Sequence, residues 1–188
     1  MLEIRIHGRG GQGNVVAAYL LASTAIANGR HAQAFPAFGA ERRGAPVAAF
    51  VRIDDRPILR RCQVSEPAFV IVQDQALLHT ANVAAGLRSG GGVLVDWMSE
   101  GQPELDGEVV TMPATRLALE HLGRPVPNTA LLAAFLALTE LFPVQALTDA
   151  LGERFKGEAL EKNRRLVEQA ASTVETGRWK EIAHGTGA

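Results

Sequence analysis

The sequence predicts an α/β fold: a doubly wound, mostly parallel sheet with helices on both faces and a helical C-terminal third. Three observations carry this. Leu2, Ile4 and Ile6 alternate in an opening strand that breaks into glycines and then into an alanine- and leucine-rich helix, the first βα unit of such folds. Residues 69–72 (FVIV) form a short continuous apolar run of the kind found in a central strand covered on both faces. Further short apolar runs then alternate with helical stretches.

Taken in order, the glycine loop comes first. Gly8-Arg9-Gly10-Gly11-Gln12-Gly13 fits the spacing G-x-G-x-x-G. Glycine permits positive φ in a tight turn and puts no Cβ between backbone N–H groups and a phosphate at the following helix N-terminus. The same glycines serve equally where strand and helix only pack closely. Residues 15–28 read as a helix with little charge on any face, ended by Asn28-Gly29. Residues 31–38 form a second strand, which Pro36 pushes toward an edge. Next come Gly39-Ala40-Glu41-Arg42-Arg43-Gly44, three charged residues between glycine hinges, able to present guanidinium groups to an anion or simply to face solvent. Residues 47–53 make a third strand, 69–72 a fourth, 75–87 a helix, 93–95 a fifth strand and 109–112 the last, before a helix begun by Pro113.

The remaining third is helical. Residues 128–142 form a second almost uncharged helix, capped by Asn128 and stopped by Pro143, followed by helices over 143–151 and 156–176. Two such apolar helices point either to burial in an interface or to a pair of central core helices. A single domain is expected over 1–177, with 178–188 a frayed tail.

Composition narrows the chemistry. Among 188 residues, 47% hydrophobic with formal net charge −1, no run of like charge marks a nucleic-acid or membrane surface. No apolar stretch reaches the roughly 18 residues a membrane span needs, and a cytoplasmic protein is expected. The one cysteine, Cys62, cannot alone hold an iron–sulfur cluster or a structural zinc. His7, His31, His79, His121 and His184 lack metal-ligand spacing, and Ser99 follows a strand without the glycines of a nucleophile elbow. An NAD-binding unit carries an acid at the end of its second strand for the ribose hydroxyls; here Phe35-Pro36-Ala37-Phe38 stands there. Asp74 and Asp96 end two strands with no spacing that pairs them as acid and base. These residues describe a binding module without catalytic apparatus of its own.

Four segments, in order, resemble one family: residues 4–13 (IRIHGRGGQG), Gly39 to Pro46 with Val51-Arg52-Ile53, Asn128 opening its apolar helix, and Glu161-Lys162-Asn163. The chain is similar over almost its whole length to the gamma subunit of the 2-oxoacid:acceptor oxidoreductases, which act on pyruvate, 2-oxoglutarate, 2-oxoisovalerate, indolepyruvate or phenylglyoxylate. The resemblance implies a complex that oxidatively decarboxylates a 2-oxoacid on thiamine diphosphate, passes electrons through iron–sulfur clusters and releases an acyl-coenzyme A. It places thiamine diphosphate and the clusters in partner subunits (alpha, beta and a ferredoxin-like delta), with no cofactor held tightly by this chain alone. A shared coenzyme A region is the gamma contribution. The candidate cofactor-contacting set is Gly8, Arg9, Gly10, Gly11, Gln12, Gly13, Asn14, Glu41, Arg42 and Arg43, with no catalytic residue and no metal ligand. Glu41, Arg42 and Arg43 are equally suited to salt bridges between subunits. The alternative function is a stand-alone nucleotide-binding regulatory module.

Overall fold

The computed structural model describes residues 1–37 and 44–185. Glu41, Arg42 and Arg43, with Phe38, Gly39 and Ala40, therefore lie outside the described residues, as do Thr186, Gly187 and Ala188.

Six strands, β1 (Leu2–Arg9), β2 (His31–Pro36), β3 (Pro46–Asp54), β4 (Phe69–Val72), β5 (Gly92–Asp96) and β6 (Glu108–Met112), form one sheet in the order β2-β3-β1-β4-β5-β6. The β1–β4, β4–β5 and β5–β6 pairs are parallel; β3 runs antiparallel to both β1 and β2. The α/β class holds. The antiparallel strand arises because β2 ends at Pro36 and β3 begins at Pro46, and so short a link cannot carry the crossover of a dozen or more residues that a parallel pair needs.

Six helices follow: α1 (Asn14–Ala27), α2 (Ala114–Leu122), α3 (Asn128–Thr139), α4 (Val144–Arg154), α5 (Gly157–Ser172) and α6 (Lys180–His184). Side chains alternate along a strand, so Leu2, Ile4 and Ile6 of β1 join Phe69, Ile71 and Leu94 under α1 and α3. Val70, Val72, Val93 and Val95 face the other way, onto Leu77 and Val83. That second face is covered by a 3-10 helix, Gln75–His79, and turns, where a longer helix over 75–87 was expected. Two tertiary contacts override the local preference. The buried Arg5 guanidinium donates to the carbonyls of Val83 and Ala85, which an α-helix would claim for itself. Gly86 (φ +70°) passes so close to Ser65 that a Cβ would lie 2.1 Å from its carbonyl oxygen.

All twelve residues of α3 are buried, enclosed by the sheet and the other helices, so this apolar helix is a core element of the chain itself. It stops at Thr139 because Glu140 adopts the left-handed conformation (φ +48°), three residues before Pro143. Pro127, not Asn128, holds its N-cap position.

The boundary expected after residue 177 is absent. Trp179 is wholly buried, stacked on Phe69 at 5.4 Å between centroids, and its backbone N–H donates to the Leu138 carbonyl at 2.7 Å. Gly92 makes room for it: a Cβ there would lie 2.9 Å from the indole. Residues 178–185 are thus anchored by an aromatic plug, with α6 beyond it. No helix among the described residues is long and apolar enough to cross a membrane.

Candidate functional site

β1 delivers its glycine loop to the carboxyl edge of the parallel strands. There the connection from β1 goes to one face as α1 and that from β4 goes to the other, the switch point where doubly wound sheets hold ligands. Gly11 (φ +99°) and Gly13 (φ +80°) supply backbone conformations that other residues adopt only with strain. Gly13 is the N-cap of α1, so no side chain caps that helix, and no acid lies in its first turn. The positive end of the helix dipole is left without a side-chain partner.

The loop is braced on three sides. Arg9 Nε reaches Asp74 Oδ2 at 2.6 Å and its Nη1 donates to the Gly44 carbonyl at 3.1 Å. Gly10 exchanges backbone hydrogen bonds with Ala45 and Gly44. Asn128 Nδ2 donates to the Gly13 carbonyl at 3.3 Å, fastening the start of α3 to the start of α1. Asn14 Nδ2 donates to the Val47 carbonyl at 3.0 Å, fixing α1 to β3.

These contacts sort the candidates. Gly8 serves close packing, since a Cβ would meet Asn14 at 3.2 Å and the Gln73 carboxamide at 3.3 Å. The Arg9 N–H is taken by Gln12 Oε1 (2.7 Å), the Gly10 N–H by Ala45 and the Gln12 N–H by Arg9. Among the described residues, the N–H groups of Gly11, Gly13 and Asn14 have no such partner. Gly11 is the exposed apex, with nothing within 4 Å of where its Cβ would be. The loop can therefore offer a few backbone donors to an anion or a carbonyl, while Asp74 opposes negative charge on the Arg9 side.

Other sequence candidates sit apart. Asp96 accepts from the Thr115 N–H at 3.0 Å and from its hydroxyl, so it fixes the start of α2; burial raises its pKa. His7 accepts from Arg5 Nε at 3.0 Å; burial and the Arg5 charge hold its pKa down to about 4. Ser99 accepts from Gln75 at 2.9 Å, and Cys62 is exposed. No group of three or more metal-ligating side chains occurs among the described residues. On the side of β1 where a dinucleotide-binding unit has its parallel second strand, this sheet has the antiparallel β3, whose amino end meets Arg9, while Asp74 after β4 on the other side is paired with Arg9. Asp74 and Asn128 complete the site; a residue at a strand end beyond β1 and an asparagine opening a helix were visible in sequence, but their partners were not.

A family model described as pyruvate ferredoxin/flavodoxin oxidoreductase matches residues 3–173. The chain belongs to this family. It is 47% identical over 170 residues to the pyruvate synthase subunit PorC of Methanocaldococcus jannaschii, covering 90% of this chain and 95% of that one. It is also 47% identical to the common gamma subunit of the pyruvate/ketoisovalerate oxidoreductases of Thermococcus kodakarensis, with the same coverage. Among solved structures, the pyruvate oxidoreductase subunit PORC of Thermotoga maritima superposes with a TM-score of 0.81 at 34% identity, over 91% of this chain and 95% of that one. The 2-oxoglutarate:ferredoxin oxidoreductase of Magnetococcus marinus has a similar fold (TM-score 0.76, 20% identity) in a region matching 94% of this chain and 32% of that longer one.

Proposed function

We propose that this chain is the gamma subunit of a multi-subunit 2-oxoacid:acceptor oxidoreductase, which oxidatively decarboxylates a 2-oxoacid and releases it as an acyl-coenzyme A. The observation that carries this reading is the 47% identity to a pyruvate synthase subunit over nearly the full length of both chains. Alpha, beta and ferredoxin-like delta subunits complete the enzyme in the cytoplasm. They would supply thiamine diphosphate for the decarboxylation and iron–sulfur clusters for electron transfer.

The part assigned to this chain is architectural, with a share in the coenzyme A region. A coenzyme A phosphate fits the glycine loop: α1 carries no side-chain cap, its first turn holds no acid, and the Gly11 apex presents no Cβ. Gly11, Gly13 and Asn14 are the residues whose N–H groups would meet it. Arg42 and Arg43 precede Gly44, which bonds to Gly10, and an arginine grips phosphate or carboxylate by two parallel hydrogen bonds that lysine cannot reproduce.

The test is to tag the chain in its host, purify it without oxygen and identify what accompanies it. Co-purification with larger subunits, iron, sulfide and thiamine diphosphate, together with coenzyme A-dependent 2-oxoacid oxidation, is the expected result, and a panel of 2-oxoacids then names the substrate. A cofactor-free chain without other subunits would defeat the reading. In the intact complex Arg43→Ala raises the apparent KM for coenzyme A or for the 2-oxoacid; unchanged values of both would remove the ligand role.

A further inference from the structure

Gln73 is the first residue beyond β4, and its backbone N–H donates to the His7 carbonyl at 2.9 Å, which sets it beside Gly8. Alternation along the strand puts its side chain with Ile71, on the face covered by α1 and α3, while Asp74 turns the other way toward Arg9. Gln73 is only 1% exposed, yet neither its Nε2 nor its Oε1 has a hydrogen-bond partner among the described residues. A buried carboxamide is nearly always hydrogen-bonded, and an apolar side chain of the same shape would fill this place without the cost of a bare amide. Packing alone does not account for a glutamine here.

The carboxamide lies against the start of α1. A Cβ on Gly8 would stand 3.3 Å from Gln73 Oε1 and 3.2 Å from Asn14 Cβ, so the first glycine of the loop leaves the space in which these two side chains approach each other. Helix α3 begins at the same place, where Asn128 Nδ2 donates to the Gly13 carbonyl. Neither helix carries an acid in its first turn, and the backbone N–H groups of Gly13, Asn14, Asn128 and Ala130 have no partner among the described residues. Two helices that start side by side bring two positive dipole ends together, an arrangement that an anion between them relieves.

We propose that Gln73 completes a phosphate site shared by the starts of α1 and α3, its Nε2 donating to a phosphate oxygen that backbone N–H groups of the two helices also hold. This rests on the glycine loop meeting a coenzyme A phosphate, and it adds the side chain that makes the site more than a helix end. Because the carboxamide holds no hydrogen bond where it lies, turning it toward the ligand breaks none. The bond it gains is to a charged acceptor, the stronger kind.

The test uses the full chain, with inorganic pyrophosphate as the probe. In NMR spectra of the native chain, the Gln73 side-chain N–H resonances shift as pyrophosphate is added, together with the backbone N–H resonances of Gly13 and Asn14. Gln73→Met keeps the shape and melts no lower than the native chain, yet by calorimetry it binds pyrophosphate about tenfold more weakly. In the intact complex the same variant raises the apparent KM for coenzyme A by a similar factor and leaves that for the 2-oxoacid unchanged. A glutamine kept only for packing, or for an internal water, gives the reverse, a lower melting temperature with binding unchanged, and that overturns the proposal. So does a Gln73 side chain whose resonances stay fixed while those of Gly13 and Asn14 move, a result that leaves the glycine loop as a phosphate site. If all of them stay fixed, both are defeated. Weakened pyrophosphate binding with an unmoved KM for coenzyme A keeps the phosphate site and takes coenzyme A away from it, so the two readings fail separately.

Discussion

At the scale of residues, the two positive-φ glycines of the loop separate two effects that sequence merges. Gly11 and Gly13 both occupy left-handed backbone, but a Cβ on Gly11 meets nothing within 4 Å, whereas one on Gly13 would lie 2.7 Å from Asn128 Nδ2. Gly11→Ala therefore costs the backbone strain alone, about 1 kcal/mol, and Gly13→Ala costs about 1–2 kcal/mol more as the Asn128 tie is displaced. Urea unfolding of the two variants measures the difference, and equal midpoints would show that Asn128 yields freely. The glycine spacing was legible in sequence; which glycine answers to packing was not, because Asn128 lies 115 residues away. His7 supplies a second prediction. Its folded pKa, about 4, is below the unfolded value near 6.5, so the unfolded chain binds the extra proton first. This contribution is complete above about pH 6.5 and is lost as pH falls toward 4, to a limit of about 3 kcal/mol. Asp96, whose pKa burial raises, works in the opposite direction at the acid end. Thermal midpoints between pH 7.5 and 4.5 fall more steeply for the native chain than for His7→Gln, in which no imidazole remains to protonate.

At the scale of elements, what the sequence revealed was what local pattern determines. β1, β4 and β5 follow from apolar runs, α1 and α3 from long uncharged stretches, and the end of α2 from Gly123, which takes the left-handed cap. The stretch 75–87 misled because its carbonyls are held by Arg5 on a strand some eighty residues earlier. The end of the chain misled for a related reason. Its glycines and charges read as a tail, while the decisive fact is a single indole fitted against Gly92 and Phe69. Trp179→Ala is accordingly expected to cost about 3–5 kcal/mol, as for other fully buried aromatics, and truncation after residue 177 to prevent stable folding. Circular dichroism melts of the two variants decide this; a truncated chain that melts like the full one would mean that the indole is dispensable.

At the scale of the whole molecule, the two ends of β1 carry different responsibilities. At its start Glu3 is buried between Arg52 (2.8 Å) and Arg88 (3.3 Å); Arg52, wholly enclosed, also donates to the Cys62 carbonyl at 2.7 Å and so pins the 55–67 connection to the sheet. At the other end, roughly 20 Å along a strand rising about 3.3 Å per residue, Arg9 and Asp74 hold the glycine loop in a partly exposed pair. The first network serves stability and the second holds the loop proposed as the site. Neither pairing was visible in sequence, where Glu3, Arg52 and Asp74 are isolated charges; only their positions on strands were. The division predicts opposite outcomes for two conservative changes. Glu3→Gln leaves a buried guanidinium without its counter-charge and lowers stability by about 3 kcal/mol, while complexes that do fold keep their KM for coenzyme A. Asp74→Asn costs about 1 kcal/mol or less, because the pair is partly solvated, yet it removes the negative charge that faces Arg9 and frees that guanidinium. If the loop meets a coenzyme A phosphate, as proposed, the apparent KM for coenzyme A falls in this variant, and the fall shrinks as salt screens the added attraction. Denaturation midpoints and steady-state kinetics on the same two preparations separate the effects. A KM that moves with Glu3→Gln and not with Asp74→Asn would place the coenzyme contact away from the glycine loop.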